Sequence, residues 1–204
     1  MKKALVKVLL ISAVMAVLTG VSQSAIYTYQ PTPYDLGDLN HSYFYTWGLK
    51  LNLAPTEYIE EAVLTYKNIY DWAVEDGDML YTHLLDSAVL GTLSGTDGVW
   101  DGDTNDMFAG QGVLVGTWSD PLGGVARNFD LVYSFSSLGL IDDLQNYIAT
   151  NDDFGFGVDP DCHYRNSGVT FKVTTATAVP EPATLMLLGT GLLGLVASRK
   201  KLLL

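Results

Sequence analysis

Tyr43-Phe44-Tyr45-Thr46-Trp47-Gly48-Leu49-Lys50-Leu51-Asn52-Leu53 puts a large apolar side chain at every odd position, with Thr46, Gly48, Lys50 and Asn52 between them. Side chains of a strand alternate between faces with a period of two, so this is a long strand with one buried face. Ala54-Pro55-Thr56 ends it, because proline removes a ladder donor. Ile59–Trp72 is expected to form the next strand, with Ala62, Leu64 and Tyr66 alternating against Glu61, Thr65 and Lys67. Glu60-Glu61 would suit a helix start, but the β-branched and aromatic content favours strand. Glu75-Asp76-Gly77-Asp78 reads as a turn, and Met79–Leu85 as a third strand.

Gly91–Gly112 is rich in Gly, Asp, Ser and Thr and is read as one polar loop. Gly112–Trp118 and Phe129–Phe135 are expected strands, joined through Asp120-Pro121-Leu122-Gly123-Gly124. Leu140–Ala149 is the one helix, since Leu140, Ile141, Leu144, Tyr147 and Ile148 form a stripe at helical spacing and Asn151 supplies a stop. Phe154–Val158 and Val169–Thr175 complete the set. Seven or eight strands with one short helix predict a mainly β protein, an antiparallel β-sandwich. An aromatic first strand, a central acidic loop, a helix before the penultimate strand and an amphipathic closing strand resemble a jelly-roll of the carbohydrate-binding-module type. That resemblance is architectural and has no motif behind it.

Lys2, Lys3 and Lys7 precede an apolar run from Val8 to Val17, and small residues follow at Ser22, Ser24 and Ala25. This is the pattern of a secretory signal peptide, with a cut expected after Ser24 and Ala25 as a close second. Residues 1–24 are therefore assigned to the signal, 25–175 to the sandwich domain and 176–204 to a linker and C-terminal signal. The whole chain carries a formal net charge of -12. Between residues 26 and 178, five basic against 22 acidic side chains leave a charge of −17. A domain so acidic repels phosphate backbones, which excludes nucleic acid as a partner. Bound cations would relieve its self-repulsion.

Asp97-Gly98-Val99-Trp100-Asp101-Gly102-Asp103-Thr104-Asn105-Asp106 is the densest acidic segment. Oxygen-bearing side chains at Asp101, Asp103, Asn105 and Asp106 can converge on one hard cation, Ca²⁺ above all. Asp106 stands where an EF-hand has its turn glycine, and Gly112 where it has its bidentate glutamate. The segment is either a generic calcium loop or a solvated acidic turn. Asp71, Glu75, Asp76 and Asp78 form a second acidic group, and Asp159 and Asp161 a third. Trp100 is either a sugar-stacking platform beside the cation or a cap on the sandwich edge. Trp47 is expected in the core.

His41, His83 and His163 are dispersed along the chain, without zinc-binding spacing. Cys162, the single cysteine, is expected to be a small buried residue. It adjoins His163, so on a strand the two would face opposite sides and could not act as a nucleophile–base pair. A nucleophile elbow and a phosphate-binding glycine loop are both missing from the sequence. The expectation is a protein that is not an enzyme.

The C-terminal stretch begins Val179-Pro180-Glu181-Pro182, continues uncharged from Ala183 to Ala197 and ends in Ser198-Arg199-Lys200-Lys201 and three leucines. The prolines keep the first part extended. The apolar run would span about 22 Å as a helix, short of the roughly 30 Å hydrocarbon core unless Leu202–Leu204 and the snorkelling basic side chains extend it. The Arg199-Lys200-Lys201 cluster holds that end in the cytoplasm.

Those three parts in that order resemble the PEP-CTERM sorting signal of exopolysaccharide-producing Gram-negative bacteria. The resemblance implies an exosortase as partner, with Val179, Pro180, Glu181 and Pro182 recognised and the transmembrane helix removed at the inner membrane. It also implies a membrane-anchored precursor that ends at the cell surface or in the extracellular matrix. The mature domain is then expected to be a structural or binding module, calcium-stabilised and directed at extracellular polysaccharide. A polysaccharide hydrolase of the envelope and a purely adhesive, self-assembling matrix protein are the alternatives. The hydrolase would show two facing carboxylates about 5–10 Å apart in a cleft.

Overall fold

The computed structural model describes residues 24–73, 78–98, 105–120, 122–125, 128–178 and 191. The chain divides into two compact units, one of Ser24–Ala176 and one of Met1–Gln23 with Thr177–Leu204. The second lies almost wholly outside the described residues. With it go the signal peptide and Val179, Pro180, Glu181, Pro182, Arg199, Lys200 and Lys201, as well as the expected transmembrane helix. Among the described residues, no helix is long and apolar enough to cross a membrane.

In chain order the elements are β1 (Ser24–Tyr29), β2 (Tyr43–Lys50), β3 (Glu57–Tyr66), β4 (Tyr70–Asp71), β5 (Leu80–Leu85), β6 (Gly91–Thr96) and β7 (Val113–Trp118). Then come β8 (Leu131–Ser134), α1 (Phe135–Leu138), α2 (Ile141–Asn151), β9 (Asp153–Pro160), β10 (Tyr164–Arg165) and β11 (Val169–Thr177). One sheet runs β1-β11-β3-β8 and the other β6-β2-β9-β5-β7, while β4 and β10 pair separately. Every register given between named strands is antiparallel. Setting aside the short β4 and β10 and the edge strand β6, the remaining strands, numbered 1 to 8 along the chain, run 1-8-3-6 over 2-7-4-5.

The two large sheets pack face to face through aromatic side chains. Phe171 on β11 lies 4.9 Å from Phe156 and 5.7 Å from Phe154 on β9, and Phe135 of α1 packs on both Phe156 and Phe171. Trp47 is 2% exposed and tilts against Phe156. Tyr66 of β3 reaches across to Thr82 of β5, hydroxyl to hydroxyl at 3.2 Å. That bond matters because a hydroxyl buried without a partner costs about 1–3 kcal/mol. On α2, Leu144 and Ile148 are the buried stripe, and Gln145 Oε1 accepts from Ile59 N at 3.0 Å to hold the helix beside β3.

Four local expectations are corrected. The strand predicted over Ile59–Trp72 breaks after Tyr66, where Asn68 takes a left-handed φ of 46°, and resumes as β4. Phe135 opens a helix instead of closing β8, because the Ser134 side chain caps Ser137 N. Asn151 belongs to α2, and Asp152 at φ 60° is the cap that ends it. The polar loop starts only after Thr96. Gly91–Thr96 is β6, an edge strand held by its ladder to β2. Such a strand buries little, so its sequence carries no apolar alternation to reveal it.

The outer face of the five-stranded sheet is partly covered by two connections. Segment 86–90 crosses it so closely that a Cβ on Gly48 would sit 2.1 Å from Val89 O. The Phe108 ring lies where a Cβ on Gly157 would be, 2.8 Å away, and meets Phe44 edge-on at 5.9 Å. Glycine on the strands below is what admits both.

Candidate functional site

The site is built on the C-terminal end of β9. Alternation sends Val158 into the core and leaves Asp159 on the outer face, in register with Tyr81 of β5. Tyr81 and His83 share that face, and His83 lies in register with Gly157. The segment after the acidic loop folds down onto this surface. Asp106 Oδ1 accepts from Phe108 N at 2.9 Å, making a tight Asx turn that drops Phe108 over Gly157. Asp106 Oδ2 stands 2.7 Å from His83 Nε2, and Gln111 O lies 3.2 Å from His83 Nδ1. Both nitrogens of the buried ring are thus engaged by residues of this segment.

Asp159 lies beneath this fold and is 1% exposed. Its Oδ2 accepts from Met107 N at 2.6 Å, but its Oδ1 is buried without a hydrogen-bond partner. Burial pushes the Asp159 carboxyl up to about 6, and the negative charges of Asp97 and Asp106 add to the effect. Asp97 and Asp106 each stand two positions outside the stretch 99–104, one on either side of it. The acidic loop therefore enters and leaves beside one buried carboxylate that lacks half its partners.

Of the residues singled out in the sequence, Trp100, Asp101 and Asp103 lie outside the described residues, as do Glu75 and Asp76. Asn105 is exposed. Asp106 is present at the site, but its two oxygens are engaged by His83 and Phe108, so its first role is to fasten the loop. Asp159, only a minor candidate in the sequence, becomes the centre. His83 had no signal at all: it joins Asp106 through a loop closure that spacing cannot show.

A second group forms near β4. Asp71, Asp78 and Cys162 each place one ligand atom within 4.8 Å of the other two. Asp120 adjoins them, its Oδ2 accepting from Asp71 N at 3.3 Å. Burial pushes the Asp71 carboxyl up to about 6, with Asp78 contributing, and it pushes the Cys162 thiol up as well. Beside this group, His41 and His163, far apart in sequence, have ring centroids 4.3 Å apart. Trp72 meets His163 edge-on at 4.9 Å, with the Arg165 guanidinium 5.2 Å above its ring. A pocket of about 240 Å³ between β2, β6 and segment 33–36 is lined by Pro33, Leu36, Tyr45, Thr46, Thr92, Leu93 and Ser94, without a carboxylate.

The PEP-CTERM protein-sorting motif matches residues 178–201. The chain thus carries the signal of an exosortase-processed protein, made as a secreted, membrane-anchored precursor and sorted to the cell surface or beyond it. The match covers the tail and leaves the domain of Ser24–Ala176 unassigned. Comparison with curated proteins returns no match. Among solved structures, a latent aurone synthase (polyphenol oxidase) from natural source aligns at 11% identity and a TM-score of 0.29. The alignment covers 74% of this chain and 28% of the other, and at that score it bears on neither fold nor activity.

Proposed function

We propose that the mature domain is a non-catalytic surface module of a Gram-negative envelope or matrix, a β-sandwich of jelly-roll order that calcium locks at its acidic loop and that binds carbohydrate. The strand order 1-8-3-6 over 2-7-4-5 supports the jelly-roll reading. One observation carries the calcium: Asp159 is fully buried, its Oδ1 has no partner, and its other oxygen is held by Met107 N, just after the acidic segment. Leaving a carboxylate buried and unmatched is costly. A hard cation taking oxygens from Asp159 and the loop would remove that cost. Trp100, from the same acidic segment of the sequence, would supply the stacking surface for a sugar ring.

The test is thermal unfolding of the full chain in mild detergent, with Ca²⁺ and with EDTA. Calcium at about 100 times its dissociation constant should add roughly 2.7 kcal/mol, a midpoint shift of several degrees. Asp159→Asn should melt higher than wild type in EDTA and lose the calcium response. Superimposable wild-type curves in calcium and EDTA would overturn the reading.

A further inference from the structure

We propose that Asp71, Asp78 and Cys162 form a second cation site, distinct in residues and in chemistry from the calcium loop, that takes a borderline-soft divalent ion of the zinc type. Two carboxylates and one sulfur sit within 4.8 Å of one another, a spacing that a single ion can bridge. Asp71 is fully buried, and its Oδ2 has no hydrogen-bond partner. Asp78 Oδ1 is likewise buried and unmatched. Each carboxylate of the cluster thus has one buried oxygen without a hydrogen-bond partner.

The sulfur is placed in the same way. Cys162 is fully buried, with Asp71 Oδ1 at 3.2 Å and Ala73 O at 3.1 Å. A thiol has one hydrogen and cannot donate to both, whereas a thiolate bound to a cation need donate to neither. Asp71 Oδ1 also accepts from Ala73 N at 2.9 Å, which orients the carboxylate, while Oδ2 has no donor. Ligation breaks the S–H bond, sends its proton to solvent and forms a metal–sulfur bond. Ca²⁺ takes oxygen ligands, so the sulfur selects for the softer ion. Three protein ligands leave a fourth tetrahedral position for water.

Titration of the full chain in mild detergent with Co²⁺, a spectroscopic stand-in for zinc, tests this. Wild type should bind one equivalent and develop a near-ultraviolet thiolate-to-cobalt charge-transfer band, which Zn²⁺ should abolish by displacement. Cys162→Ser should lose the band. Asp78→Asn, a change at a half-buried position that leaves the core intact, should weaken Co²⁺ binding at least tenfold and leave the calcium response unchanged. Cobalt binding without the band would overturn the proposal, and so would no binding or an unaltered affinity in Asp78→Asn. The calcium reading fails by a separate result, loss of the shift between Ca²⁺ and EDTA in wild type.

Discussion

Gly48 has no room for a methyl group, because Val89 O would lie 2.1 Å from it and Val89 belongs to backbone that crosses the sheet. Replacing glycine by alanine removes unfolded-chain entropy and would by itself stabilise by about 0.4–1 kcal/mol. Overpacking costs about 1–3 kcal/mol or more when backbone must shift, so the clash wins. Gly48→Ala should lower the urea midpoint by an amount equal to about 1–3 kcal/mol, and an unchanged midpoint would show that segment 86–90 does not rest on the strand. In the sequence Gly48 is only an even member of an alternating strand, and nothing there says that another segment passes over it. Asp159 is a similar case. Its sign and its neighbour Pro160 are legible, but its burial follows from pairing with β5 and from the descent of Met107.

At the scale of elements, legibility tracks burial on one face. β2, β5, β9 and β11 stand close to where alternation places them, because apolar side chains on a single face are what fixes a strand's register. β6 escapes notice because a backbone ladder holds it while its side chains bury little, and β4 and β10 because two residues are too few to show an alternation. Segment 105–112 is the other hidden element: His83 fastens it through Asp106 and Gln111 O, residues 23 and 28 positions away. His83→Ala should release it. Limited proteolysis should then cut within 105–112 faster than in wild type, at a cost of about 1–3 kcal/mol in global stability. Asp106→Asn in the His83→Ala background should add little further, as expected for partners in one interaction. Equal cleavage rates in wild type and His83→Ala would remove His83 as the fastener.

For the molecule as a whole, the buried aspartates set an unusual pH dependence. Asp159, faced by Asp97, Asp106 and His83, and Asp71, faced by Asp78 and Cys162, have carboxyls pushed up to about 6, against about 3.9 in an unfolded chain. The folded state therefore binds more protons between those values, and stability in EDTA should rise as pH falls from 7 to 5, by on the order of 1 kcal/mol per group. Glu57 and Glu61 work in the opposite sense. Hydrogen bonds from Thr175 and Ala54 N hold Glu57 below its usual range, and against burial the hydrogen bonds from Ser136, Ala62 N and Ser134 do so for Glu61. Their stabilisation is lost only below about pH 4.5, so the midpoint in EDTA should peak between about pH 4 and 4.5. A midpoint in EDTA that falls steadily from pH 7 to 5 would refute this. The sorting tail, finally, leaves the domain from β11, which lies inside its sheet between β1 and β3. A tether attached there pulls on a strand bonded along both flanks, so mechanical load on an anchored molecule must shear two ladders at once instead of peeling a single edge.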